Sequence, residues 1–156
     1  LAGKNGPVYS PKHFRTFMLP RLKELTKCAR ELNLIYIFRT DGDIWSIADM
    51  LLRHSGVHGY GEIDQSAGMD IAQVREHFPH LLLWGGVDCA WTLVHGSTDD
   101  VRREVRYAIT KAGMNGGLLL GSSNTIHPNV KLENFLAMLS EGKAFVIENG
   151  AEKVAT

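Results

Sequence analysis

A short apolar run followed by an amphipathic helical stretch recurs along this chain, and each run ends in polar side chains. The runs are Leu34–Phe38, Val57–Ile63, Leu81–Val87 and Gly117–Gly121. They end in Arg39-Thr40-Asp41, in Glu62 and Asp64, in Asp88, and in Ser122-Ser123-Asn124, respectively. Strand signals alternating with helix signals predict a parallel sheet covered by helices, because parallel neighbours need a crossover that returns the chain to the same end. In (β/α) barrels the residues just past the strand ends line the active site. Four units make half of an eight-unit barrel. The expected architecture is therefore α/β, half of a (β/α)8 TIM-type barrel with about four parallel strands and outer helices.

Local signals set the expected boundaries. Ser10-Pro11 opens a helix, with a hydroxyl cap and proline at the first helical position. Phe14, Phe17, Met18, Leu22 and Leu25 follow at helical spacing, and Pro20 should bend or divide this helix. Asp43 is placed to cap a helix whose buried face is Ile44, Ile47, Ala48, Leu51 and Leu52, and Gly56 ends it. Gly59 and Gly61 lower the strand propensity of the second run. A short helix over Asp70–Phe78 is closed by Pro79. Ser97-Thr98-Asp99-Asp100 starts a helix with the core stripe Val101, Val105, Ala108, Ile109 and Ala112. Lys131–Leu139 is the last predicted helix. One domain over residues 1–142 and a tail over 143–156 are expected.

Lys+Arg and Asp+Glu both number 17, so nothing in the charge balance suggests the basic surface that nucleic acid needs. Charged residues or glycine interrupt every apolar run, which leaves no stretch long enough to span a membrane. Cys28 and Cys89 form no C-x-x-C pair, which fits a reducing compartment, with the cytoplasm as the default. The chain starts at Leu1 in loop-like sequence without a methionine, and reads as a cut through a longer protein.

Several segments, in order, resemble the uroporphyrinogen decarboxylase superfamily, which also contains cobalamin-linked methyltransferases. They are Gly6-Pro7-Val8-Tyr9-Ser10-Pro11 with Phe14 and Pro20, Asp41-Gly42, Ala67-Gly68-Met69-Asp70, Gly85-Gly86-Val87-Asp88, and Ser122 to Ile126 with Pro128 before Glu133-Asn134. The resemblance runs from about Leu1 to Met138 and covers the C-terminal half of that barrel. It implies a parent enzyme acting on a carboxylated or methylated small molecule. The decarboxylase branch needs no metal or organic cofactor, and the methyltransferase branch works with a corrinoid protein. The arginines and central aspartate of the decarboxylases belong to the N-terminal half and are not in this sequence. The family's Gly-His-Gly falls on Ser123-Asn124-Thr125. The methyltransferases' zinc ligands, His-x-Cys and a later cysteine, fall on Arg39-x-Asp41 and on Asn124. Neither signature is intact.

Each candidate side chain has a structural reading beside its chemical one. Arg39 suits bidentate recognition of a carboxylate, and equally an internal ion pair. Asp41 can orient a polar group or make a turn. Glu62 and Asp64, two apart on a strand, should share a face and form a carboxylate pair, or else be solvated loop acids. Asp88 contacts substrate or bonds nearby backbone amides. Ser122, Ser123 and Asn124 offer donors and acceptors for a polar ligand, or cap the following turn. His127 is a lone loop histidine. His54-x-x-x-His58, His77 and His80 do not supply a convergent zinc set. The expectations are a substrate-binding wall without a bound metal, an isolated chain without catalytic activity, and a homodimer that covers the barrel's open side.

Overall fold

The protein is described here by a computed structural model covering residues 1–150, with side chains through Phe145. A small antiparallel hairpin comes first, β1 (Ala2–Gly3) with β2 (Gly6–Pro7). The main sheet holds β3 (Ile37–Arg39), β4 (Gly59–Ile63), β5 (Leu82–Val87) and β6 (Leu118–Ser122), all parallel and in sequence order. This is the half-barrel arrangement that the alternating signals predicted. β3 starts three residues later than the Leu34–Phe38 run. Leu34 and Ile35 stand exposed ahead of the first ladder partner, which pairs Ile37 with Gly59.

Helical segments form one layer against the sheet. Ser10 accepts a hydrogen bond from the His13 amide and starts α1 (Pro11–His13). A π turn (Phe14–Met18) then leads into α2 (Leu19–Glu31). Pro20 lacks an amide hydrogen and crowds the carbonyl four residues back, so a widened turn absorbs it and the helix continues undivided. The Arg21 guanidinium donates to the Phe17 carbonyl in this turn, 2.7 Å away. Residues 44–53 bury the expected face, Ile44, Ile47, Ala48, Leu51 and Leu52, but as a 3₁₀ turn (Trp45–Ile47) and a π turn (Asp49–Arg53).

α3 (Ile71–His77) follows the Asp70 cap. Its Arg75 donates to the carbonyls of Pro79, Leu81, Ala112 and Gly117, tying the starts of β5 and β6 together. α4 (Thr92–His95), α5 (Thr98–Ala108) and α6 (Leu132–Gly150) complete the layer. The last helix runs through Gly150, past the end expected at Leu139, and residues 151–156 lie outside the described part. Among the described residues no helix is long and apolar enough to cross a membrane.

Two apolar clusters lie between sheet and helices. One joins Phe14, Leu22, Ile47, Leu51, Tyr60, Ile71, Val74 and Leu83; the other joins Val87, Leu93, Val101, Val105, Ala137 and Met138. Helix α5 meets the sheet so closely that a Cβ on Gly86 would lie 2.6 Å from Ala108 Cβ. The opposite face carries Ile37, Arg39, Leu82, Trp84 and Leu119, with the glycines of β4 between them. Trp84 lies between Gly61 and Gly121: a Cβ at either would stand 3.3 Å from Trp84 Cβ or 3.1 Å from its Nε1. The two glycines that weaken β4 as a strand thus make room for neighbouring side chains. Leu119 on this face is 47% exposed.

Candidate functional site

The loops after the four strands converge on a cavity of about 460 Å³. Asp41 and Gly42 come from the end of β3, Asp64 and Ser66 from that of β4, Cys89 and Ala90 from that of β5, and Ser123 to Thr125 with His127 from that of β6. Ala2, Gly3 and Lys4 of the N-terminal hairpin form another side. The hairpin is seated by the Asp43 amide, which donates to the Gly3 carbonyl at 3.0 Å.

Four of the eight candidates line this cavity: Asp41, Asp64, Ser123 and Asn124. Asn124 Nδ2 donates to Asp41 Oδ2 at 2.9 Å and joins the loops of the two outermost strands. Asn124 Oδ1 accepts from the Thr125 amide at 2.6 Å. Asp64 Oδ1 accepts from the Ser66 hydroxyl at 2.7 Å. The Ser123 hydroxyl accepts from the Cys89 amide and donates to its sulfur, 3.6 Å away. Burial pushes the Cys89 thiol above its ordinary pKa; the Ser123 bond opposes this, and the Asp88 charge adds to it.

The other four candidates are engaged elsewhere. Arg39 Nη2 donates to Glu62 Oε1 at 2.6 Å, and the guanidinium lies 4.4 Å from the centre of the Trp84 ring. Of its two readings, the internal ion pair is the one these contacts describe. Glu62 and Asp64 do not form the expected same-face pair. The ladder slips between Gly61 and Ile63, and Glu62 takes a left-handed backbone with φ of 65°, so strict alternation fails there. Glu62 therefore turns to Arg39 and Asp64 to the cavity. Asp88 Oδ1 accepts from the amides of Ala90 and Trp91 at 2.7 and 3.1 Å, the structural of its two readings. Ser122 donates to the Asn124 carbonyl at 2.6 Å.

Glu104 contributes to the site without a sequence signal. Glu104 on α5 accepts from the Asp88 amide at 2.9 Å and from the Thr92 hydroxyl at 2.6 Å, fixing the loop that brings Cys89 and Ala90 to the cavity. Burial raises its pKa, against the two hydrogen bonds. Outside the cavity lining, Tyr60 is fully buried in the core, and its hydroxyl has no hydrogen-bond partner among the described residues. Burial raises its pKa, and the charges of Asp64, Asp41, Asp43 and Glu62 act in the same direction. His58 Nδ1 accepts from the Tyr36 amide, and His127 Nδ1 from the Asn129 amide. Among the described residues, no three His, Cys, Asp or Glu side chains converge as a metal site requires.

The parallel half-sheet, with its cavity at the strands' C-terminal ends, defines a segment of a (β/α) barrel. A family model described as Uroporphyrinogen decarboxylase (URO-D) matches residues 4–145, and the chain belongs to that family. A search of curated proteins found no match. Among solved structures, 14 chains match. One is a methyltransferase from Methanosarcina mazei, 24% identical, with a TM-score of 0.71 over 88% of this chain. This chain spans 38% of that structure's length, so the likeness shows the barrel half and its fold.

Proposed function

We propose that this chain supplies one wall of the substrate pocket in a barrel enzyme of its family, and that alone it does not turn over substrate. The cavity lined by the ends of all four strands carries this reading. Its residues bind and orient: Asp41 is held by Asn124, Asp64 by Ser66, and the Cys89 loop by Glu104.

Of the family's two reaction classes, methyl transfer with a corrinoid protein is the first reading and decarboxylation of a polycarboxylate the second. By the resemblance the decarboxylases' arginines belong to the N-terminal half, and this wall adds few cations of its own. Arg39 is committed to Glu62 and Trp84, and among the described residues Lys4 is the one Lys or Arg on the lining. The solved relative's description as a methyltransferase agrees with this reading. The zinc of that branch does not fit here. Its ligand positions hold Arg39, Asp41 and Asn124, which bond to Glu62 and to each other. Decarboxylation of a tetrapyrrole or another carboxylated small molecule is the second reading, favoured by the family's own description. A second copy of the chain is proposed to cover the Trp84 face.

The test joins this chain to the N-terminal barrel half of the methanogen methyltransferase. Methylcobalamin demethylation is followed by absorbance, and coproporphyrinogen formation by chromatography. The expected result is demethylation by the joined protein, none by the chain alone, and no coproporphyrinogen from either. Coproporphyrinogen from the joined protein would select decarboxylation instead.

A further inference from the structure

The helices at the two ends of the layer each carry a row of apolar side chains in solvent. On α2 the row is Leu25, Cys28 and Leu32, the last at the helix's C-terminal cap; on α6 it is Leu132, Leu136 and Leu139. The five leucines are 52–68% exposed, and Cys28 is exposed as well. Neither row is the core-facing side: α2 buries Leu22, Thr26 and Ala29 there, and α6 buries Ala137 and Met138. Each row also lies away from the neighbouring helical segment. Arg30, which donates to the Gly56 carbonyl, is on the other flank of α2. Glu141, which pairs with Arg102 and Arg106 of α5, is on the other side of α6.

The rows match in spacing and in charge. Arg21, Leu25, Cys28 and Leu32 follow one another by four, three and four positions, and so do Leu132, Leu136, Leu139 and Lys143. This is the spacing of a seam between two helices that run in the same direction. Laid side by side in that register, Leu25 meets Leu136 and Cys28 meets Leu139. Arg21 then comes beside Glu133 at one end, and Glu31 beside Lys143 at the other. Among the described residues Arg21, Glu133 and Lys143 form no ion pair, and Glu31 has an exposed one with Lys27 at 3.8 Å. Within one chain the rows stay apart, because α2 leads into β3 at one edge of the sheet and α6 follows β6 at the other.

We propose that two copies of this chain join α2 of each to α6 of the other, at two equivalent seams about a two-fold axis, closing a ring round the Trp84 faces. This rests on the reading that a second copy covers that face, and adds which elements hold the copies together. A helical segment precedes β3 and another follows β6, so each junction receives a helix from either side. The seam is therefore helical, and β3 does not pair with β6 of the other copy. A two-fold ring uses both rows of both chains and leaves none in solvent.

The test is a disulfide across the seam in the full 156-residue chain. Leu139→Cys places a thiol opposite the native Cys28, while Cys89 is buried. Mild copper–phenanthroline oxidation should give a covalent dimer on a non-reducing gel, with a cross-linked peptide joining Cys28 to position 139. Adding Cys28→Ser should abolish the link, and Arg103→Cys alone, on the exposed face of α5, should give none. Charge reversal is the second measurement. Arg21→Glu and Glu133→Arg should each weaken the dimer by about tenfold on dilution in sedimentation, with two seams affected, and together restore it. A dimer in light scattering without the link from Cys28 to position 139 would overturn this seam while leaving the second copy. So would a parent chain that locks Cys28 to Cys28. A ladder of longer covalent chains would overturn the two-fold ring. A monomer would remove the seam and the second copy together.

Discussion

Trp84 and Arg39 show how single residues shape the open face. The indole needs bare backbone on both sides, which Gly61 and Gly121 provide, and its ring then carries the Arg39 guanidinium. Close approach has a testable cost on the other face. Gly86→Ala would press a methyl against Ala108 at a φ of +113° and should destabilise the chain by about 2–4 kcal/mol. Gly142→Ala meets only the tip of the Leu120 side chain, which can swing away, and gains helix propensity. It should stay within about 1 kcal/mol of the parent. Urea unfolding of both variants separates the two cases. Glu104 adds a pH prediction. Burial raises its folded pKa, so its favourable contribution is complete below the ordinary carboxylate range and is lost as pH rises through the folded value. Glu104→Gln should therefore gain stability relative to the parent as pH goes from about 4 to 7, measured by urea midpoints.

Among the elements, α5 has the most complete start. The Ser97 hydroxyl accepts from the Asp100 amide, and Asp100 Oδ2 accepts from the Ser97 amide at 2.7 Å. Ser97→Ala removes half of this box and should cost about 1 kcal/mol in urea unfolding. The bonds from Ser97 hold the Asp100 carboxyl below its ordinary pKa. Its contribution is thus present above the ordinary carboxylate range and is lost as pH falls through the folded value. Asp100→Asn should flatten the acid side of the stability profile, which thermal melts below neutral pH would record. β4 shows the reverse case. Its glycines and the slip at Glu62 make it poor as an isolated strand, and pairing with β3 and β5 on either side holds it in place.

At the scale of the whole molecule, the Trp84 face of the half-sheet stands open among the described residues. In a closed barrel every strand has two neighbours, whereas β3 and β6 here are edges. Ile37, Leu82, Trp84 and Leu119 lie on the same unclosed side. Apolar burial is worth about 25 cal/mol per Å², so covering this face offers a strong drive to association. The proposed homodimer would do so through one self-complementary surface. Light scattering should give twice the chain's 17.3 kDa at micromolar concentration. Leu119→Asp, on an exposed position, should return the mass to that of a monomer with the circular dichroism spectrum retained. A stable monomer of the parent chain would contradict the dimer.

The sequence by itself determined the element order, the parallel sheet and the buried faces of the helices. These follow from local periodicity, caps and breakers such as Ser10-Pro11, Gly56 and Ser97, whose physics spans a few residues. It also located the polar strand ends, and Asp41, Asp64, Ser123 and Asn124 do line one cavity. The tertiary structure alone decided their partners. Asn124 meets Asp41 across 83 positions of sequence, and Arg39 meets Glu62 across 23. Neither pairing leaves a periodic trace. The slip at Glu62, the seating of the hairpin on the Asp43 turn and the reach of Glu104 to Asp88 depend likewise on strand register and helix packing. Those are fixed only when distant segments come together, because the hydrogen bonds that settle them join groups no local window contains.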